Sequence, residues 1–325
     1  MNRGLVWSIG QRLLVSIPIL LGMVSVVFFI ARLLPGDPFS LHMAPGIPAG
    51  TLEVLRHTYG LDRPLGEQYF VWLGNAVRGQ FGISLTTNRP VLDLISETLP
   101  NTFLLGGTAL LLQFSIGILA ALACARRPGS AVDRLIGNST VAIYSTPSFW
   151  LGTLLLYVFA FRANVLPPSQ MHSVGFHSLT SGGYILDVLW HLVLPALTIA
   201  IPGAARVIRY LRGNLLQVLE EPFVTSARSH GLSGSRILWR YALPNALMPV
   251  ITIGGMETGV LLTGALVTET LFAWPGIGRL TVSAVLARDY PLLLGTTIVS
   301  GCIVIAANLT ADILHRVIDP RVRAD

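Results

Sequence analysis

The chain has 325 residues, 52% of them hydrophobic and only 12% charged, with a formal net charge of +6 and a mean hydropathy of +0.66. A soluble domain carries about 25% charged residues, so the composition argues against an ordinary globular protein. It indicates an integral membrane protein, because several apolar runs reach the ~20 residues that span a bilayer. All 22 basic residues are Arg and they gather in no run, which indicates compositional bias and gives no nucleic-acid signal. Cys124 and Cys302 lie in or beside apolar spans without CxxC or His/Cys ligand spacing, so they read as packing residues.

In chain order, Arg3 and Arg12 precede an apolar run, Leu13–Leu34. It is longer than a signal-peptide core and no small-x-small site follows, so it reads as an uncleaved first span, with Pro18 as a tolerated kink. Five more spans follow: Asn101–Ala125, Leu135–Phe161, Ile185–Val207, Ala246–Phe272 and Leu292–Leu314. The expected fold class is an all-α polytopic membrane protein with six transmembrane helices. The expected organisation is a tail and first span over 1–34, an external loop over 35–100, and a permease-like core over 101–314. That core holds a polar loop at 220–250, and a tail follows at 315–325.

Six spans put both termini on one side. The face formed by the N-terminus, the second and fourth connections and the C-terminal tail carries fourteen Arg and five acids. The other face carries eight Arg and nine acids. The excess of Arg on short connections places the first face, with both termini and the 220–250 loop, in the cytoplasm.

The first loop reads as a cap on the external ends of the spans, as a contact for an external partner, or as both. Thr51–Tyr59 and Leu65–Val77 are expected as short amphipathic helices, punctuated by Gly60, Pro64 and Gly79. The second external connection, Arg162–Tyr184, holds Pro167, Pro168, Met171, His172 and His177. Plain surface residues are the favoured reading there over a transition-metal contact. His191 and Trp190 read as interface residues, and Asp312 is expected to reach the headgroups or pair with an Arg.

No HExxH, Walker A or GxGxxG motif occurs. No paired acids or nucleophile set stands within the spans, so no catalytic residue, metal site or cofactor is expected. The acid that stands out is Glu257, in GGMETGVLLTG. A charge at that depth is costly. It reads as lining a polar path, pairing with an Arg, or sitting protonated in a packed interface that Gly254, Gly255, Gly259 and Gly264 would favour.

The stretch Glu220–Val250, EEPFVTSARSHGLSGSRILWRYALPNALMPV, is too polar to span. Asn214–Glu221 reads as a helix end beyond the membrane, with Pro222 at the first position of the next helix. Phe223–His230 is then a short helix closed by Gly231. Ser233–Tyr241 is a second piece with Ser233 as N-cap, ended by Leu243-Pro244. The expectation is a stiff two-helix knob. Arg228, Arg236 and Arg240 face outwards, and Phe223, Leu232 and Ile237 give it apolar contact.

This loop resembles the cytoplasmic signature of ABC-importer permeases, EAA–three residues–G–nine residues–I–x–L–P. Its slots fall on Thr225, Ser226, Ala227, Gly231, Tyr241, Leu243 and Pro244, so the Glu, the first Ala and the Ile are replaced. ARLLPGDP, GLDRPLGEQY, QFGISL, STPSFWLG, HLVLPALTIA, ETLFAWPGIGRL and RDYPLLLG resemble, in order, the dipeptide/oligopeptide/nickel permease family over nearly the whole chain. The large loop after span one resembles the first permease of the pair. Departures are LPPSQ at Leu166–Gln170 and Glu257 itself. The resemblance implies half of a heterodimeric pore in the bacterial inner membrane, completed by a sister permease. It further implies two cytoplasmic ATPase subunits and an external substrate-binding protein. It implies that Phe223, Thr225, Ser226, Ala227, Arg228, Gly231, Leu232, Leu243 and Pro244 couple to an ATPase. Di- or oligopeptides are the expected cargo and a nickel chelate the runner-up. A secondary transporter is the rival class, but it would need coupling charges in several spans and an inverted repeat.

Overall fold

The computed structural model describes residues 3–33, 62–176, 180–262 and 265–318. Its regular structure is helical, with one isolated antiparallel bridge between Ile83 and Pro90. The helices are α1 (Arg3–Leu33), α2 (Leu65–Val77), α3 (Val91–Arg126), α4 (Ala131–Tyr144) and α5 (Ser148–Leu155), the last prolonged by π-helical turns to Arg162. They continue with α6 (Ser181–Leu219), α7 (Pro222–Ser229) and α8 (Gly234–Arg236), which π turns Ile237–Ala242 join to α9 (Leu243–Leu262). Last come α10 (Leu266–Leu271), α11 (Ile277–Leu286) and α12 (Tyr290–Ile318).

Among the described residues, four helices are long and apolar enough to cross a membrane: α1 from Gly10, α3, α6, and α12 to Ile313. The pair α4–α5 makes a fifth if its two bent halves count as one. The chain is a multi-pass membrane protein. Much of α1 has no protein cover. Leu14, Ile19 and Ile30 are 75%, 65% and 57% exposed, an arrangement that an apolar surround, lipid or another membrane subunit, makes favourable.

Side-chain contacts fix the direction of each helix. Arg12 pairs with Asp312 at 2.8 Å, Gly301 abuts Leu20, and the Arg32 guanidinium lies 5.7 Å from the Tyr290 ring centre. Thus α1 and α12 run antiparallel, and the Arg32 end of α1 meets the Tyr290 end of α12. α3 and α6 run parallel: Leu105 shares a core with Leu192 and Ala196, Gly117 abuts Val207, and Leu122 shares a core with Leu211. A Cβ at Gly117 would come within 2.5 Å of Val207, so this close approach requires glycine. α4–α5 runs back along α6, from Asp133 against Arg212 to Gly152 against Thr198. α9 runs against both α3 and α12, with Gly254 on Phe114 and Gly255 on Ala311.

Several expected boundaries are corrected. The second span begins at Val91 rather than Asn101, and α3 absorbs Pro100 within its length. Leu135–Phe161 is not one straight span. It turns by 108° between α4 and α5, where Pro147 holds an extended ψ of 136° that no helix interior permits. The expected fifth span, Ala246–Phe272, ends as a helix at Leu262, and α10 is a separate short helix packed on α11 and α5. The expected helix Leu65–Val77 is observed as α2, and Tyr69 and Trp72 hold it against Phe28 of α1. The expected helix Thr51–Tyr59 lies outside the described residues.

Two buried acids hold the end of the bundle remote from α7. Asp289 accepts hydrogen bonds from Ser84 Oγ (2.6 Å), Thr86 N (3.0 Å), Thr86 Oγ1 (2.9 Å) and Leu292 N (3.2 Å). It thereby ties the segment before α3 to the start of α12. Glu269 accepts from Thr102 Oγ1 (3.0 Å) and Arg279 N (2.9 Å), and a Cβ at Gly276 would collide with its carboxylate. Trp274 is fully buried beside it and donates its indole N–H to Asn101 O at 2.9 Å.

Candidate functional site

At the other end, α6 stops at Glu220 and the chain turns straight into α7. Glu221 is extended (ψ 147°), and Pro222 takes the first helical position, where its missing N–H costs nothing. α7 ends in a full Schellman motif. His230 is the C-cap, and Gly231 follows at φ +76° and donates to Arg228 O at 2.9 Å. Leu232 N donates to Ala227 O at 3.2 Å, and the two side chains join one apolar cluster, which is the contact this motif carries. A Cβ at Gly231 would meet nothing within 4 Å. Glycine is therefore required by the backbone conformation and not by space.

Val224 and Ala227 point inwards and pack on Ile237, with Leu219 and Leu232 at the edge. This small core bolts α7 to the end of α6 and to the turns that lead into α9. Phe223, Thr225, Ser226 and Arg228 are left bare on the outer face, with Arg236 and Arg240 beside them. The nine residues expected to form a contact thus divide. Phe223, Thr225, Ser226, Arg228, Gly231 and Pro244 are exposed, Leu232 is half-buried, and Ala227 and Leu243 are interior supports.

Two local expectations are corrected. Ser233 occupies the N-cap position of α8 but makes no side-chain capping bond. Leu243-Pro244 does not end the second piece, because Leu243 is helical (φ −60°, ψ −48°) and the chain runs on into α9. The missing N–H of Pro244 falls where π turns give way to α-helix, which is where the hydrogen-bond ladder changes register. The knob therefore joins a long helix at each side, with a four-residue turn only between α7 and α8.

Glu257 stands on α9 and reaches across to α6 and α3. Its Oε1 lies 2.7 Å from Arg206 Nε, and its Oε2 accepts from Gln113 Nε2 at 3.0 Å. Pairing with an Arg is thus the observed arrangement. The contact is close but lacks the alignment of a full N–H···O bond. A second ion pair has the opposite character. Arg212 forks onto Asp133 through Nε (2.6 Å) and Nη2 (2.8 Å), and Gly129 N adds a third bond at 2.9 Å. Asp133 is buried, so this pair clamps α4 to α6.

The remaining polar positions are structural. His191 is buried in α6 with Nδ1 2.8 Å from Asp187 O, while Trp190 beside it is 51% exposed. His172 stacks between Phe176 and Tyr184, Met171 is buried, and His177 lies outside the described residues. Asp312 pairs with Arg12, one of the two outcomes expected of it. Cys124 is buried and Cys302 exposed, and both are free thiols.

Residues 113–324 match the family described as "Binding-protein-dependent transport system inner membrane component", and residues 5–106 match the N-terminal part of the same kind of component. The chain belongs to this family, the permeases of ABC importers. Among its relatives is "Oligopeptide transport system permease protein AppB" of Bacillus subtilis, 38% identical over 96% of this chain and 98% of that protein. Another is "Di/tripeptide transport system permease protein DppB" of Pseudomonas aeruginosa, 36% identical over 97% of this chain and 98% of that protein. The inward-facing MetNI methionine ABC transporter shares the fold, with a TM-score of 0.52 and 14% identity over 70% of this chain and 96% of that one.

Sequence reasoning passed over four groups that this permease uses structurally: Glu269, Asp289, the Asp133–Arg212 clamp, and Arg206 as the partner of Glu257. Ser130-x-x-Asp133 was a legible helix-start signal, and its cap bond is present, Asp133 N to Ser130 Oγ at 3.2 Å. Glu269 fell at the end of the expected fifth span and Asp289 in the connection before the sixth, and neither position announces that the carboxylate is buried and hydrogen-bonded.

Proposed function

We propose that this permease is one half of a heterodimeric pore of an ATP-driven importer of di- or oligopeptides, with six membrane crossings. A sister permease supplies the other half, two cytoplasmic ATPase subunits hydrolyse ATP, and an external binding protein delivers the cargo. Residues 101–314 are the permease core, and the 35–100 segment lies outside as a cap and contact. Both termini and the 220–250 loop lie in the cytoplasm of a bacterium with the protein in its inner membrane, a placement that the Arg distribution supports.

The observation that carries this reading is the α7 knob: a short helix opened by Pro222 and closed at Gly231, bare on its outer face and bolted between α6 and α9. ATP-driven motion of a soluble subunit becomes motion of membrane helices only through a stiff lever. The bare face, Phe223, Thr225, Ser226 and Arg228, is the side an ATPase groove would grip, while Val224 and Ala227 hold it rigid from within through Ile237. Glu257 lines the path and attracts the cationic end of a peptide. The peptide cargo is inferred from the relatives' names and from the order of matching segments.

Gly231→Val tests the lever. A β-branched residue at φ +76° is strained, so α7 must unwind its last turn. Import and substrate-stimulated ATPase activity of the reconstituted complex are expected to fall severalfold while the subunit still inserts. Normal coupled activity would overturn the reading.

A further inference from the structure

Between α4 and α6 lies a cleft of about 360 Å³, lined among others by Tyr144, Arg206, Arg209, Tyr210, Asn214 and Gln217. Its lining holds two guanidinium groups and no acid. Tyr144 is 59% and Tyr210 51% exposed, and Arg209 is exposed with no acidic partner among the described residues. Arg206 lies eight positions along α6 from Asn214, or ~12 Å at 1.5 Å per residue. Asn214 itself bonds Ala246 O near the start of α9, so Arg206 stands well inside the span. A face with this much charge at that depth cannot face hydrocarbon. It faces a water-filled path or another protein wall.

The two Arg–acid pairs on α6 differ in a way that assigns them different work. Arg212 is locked by a bidentate fork on a buried carboxylate. Arg206 approaches Glu257 Oε1 with Nε at 2.7 Å but out of hydrogen-bond alignment, and its side chain is 41% exposed. The first arrangement is a clamp. The second is a charge held near a counter-ion but free to exchange it, because a planar carboxylate in the cleft can engage the guanidinium fork that Glu257 leaves unused. Gln113 holds Glu257 in place from the third helix, so the acid does not follow when the Arg changes partner.

We propose that Arg206 reads the free carboxylate terminus of a peptide passing through the path, with Glu257 as its resident counter-ion. This rests on the peptide-permease reading above.

The test uses the complete importer with its binding protein in proteoliposomes. Import of trialanine and of trialanine amide is measured, each rate divided by the occupancy of the binding protein determined separately for that peptide. The unmodified complex is expected to favour the acid about tenfold, equivalent to about 1.4 kcal/mol. Arg206→Gln is expected to bring the acid-to-amide ratio close to one, and Arg206→Lys, which keeps the charge, to retain most of it. A ratio unchanged in Arg206→Gln, or equal in the unmodified complex, overturns the proposal, since a merely structural Arg206 would lower both rates in proportion. A preference that vanishes in vesicles of phosphatidylcholine without anionic lipid assigns the guanidinium to an anionic lipid headgroup and overturns it as well. Import of neither peptide by an unmodified complex that assembles and hydrolyses ATP refutes the peptide cargo itself, a different failure with a different signature.

Discussion

At the scale of single residues, the chain places its expensive groups in pairs and gives each pair a separate level along α6. The Asp133–Arg212 clamp is expected to be the stability element. Asp133→Asn keeps the shape but removes the charge that the fork requires. Breaking a fully buried pair costs about 3–5 kcal/mol. Arg212 is 35% exposed, so the discounted loss is about 2–3 kcal/mol. It should appear as a lowered melting temperature of the detergent-solubilised complex, with acid-to-amide discrimination untouched. A second prediction concerns Gly203. Any Cβ there would collide with the end of the Gln113 side chain, which is fully buried and has little room to yield. Gly203→Ala should therefore destabilise by about 1–3 kcal/mol, in the range of overpacking. Gln113→Ala in the same chain should recover most of that loss. Independent, additive losses in the double variant would show that the two residues do not share the site.

Elements differ in how far their sequences announce them. α7 was legible because its signals are local: Pro222 at the first position, Gly231 just past the end, and a polar face between. α2 was legible for the same reason, lying between Pro64 and Gly79. Pro and Gly mislead where long-range packing overrides them. Pro244 and Pro100 read as stops, yet both lie within continuous helix. Pro147 marks a true break, but the apolar run around it hides the bend. Glu257 was legible as a costly charge. Its partner was not, because Arg206 sits on another helix at a place that sequence alone assigns to the membrane boundary. The Asp289 node offers a test at this scale. Asp289→Ala leaves the Ser84 and Thr86 hydroxyls and two backbone amides without their acceptor. The segment Phe81–Pro90 should come away from the start of α12. Limited proteolysis from the outer face should then cut within it at least severalfold faster, with the α7 end still protected.

The whole molecule is organised so that its two distinctive ends do different work. Contacts run α1 and α12 antiparallel, α3 and α6 parallel, and α9 against α3, so direction alternates along the chain once the bent α4–α5 pair is counted between α3 and α6. One end gathers the α7 knob, the Asp133–Arg212 clamp and the Arg12–Asp312 pair. The other gathers the buried acids Glu269 and Asp289 and the connection that contains Val174. If the Arg-rich end faces the cytoplasm, the two ends must differ in their access to a reagent that cannot cross the membrane. Ser229→Cys and Val174→Cys, each placed in a chain with Cys124→Ala and Cys302→Ala, test this directly. Ser229 is exposed on α7, and Val174 is fully exposed in the connection before α6. In intact cells with a permeable outer envelope, a charged maleimide is expected to label Val174→Cys and to spare Ser229→Cys. Inverted vesicles should reverse the pattern. Labelling of both from one side would mean an odd number of crossings between these positions does not exist, and the proposed alternation, and with it the placement of the ATPase lever in the cytoplasm, would fall.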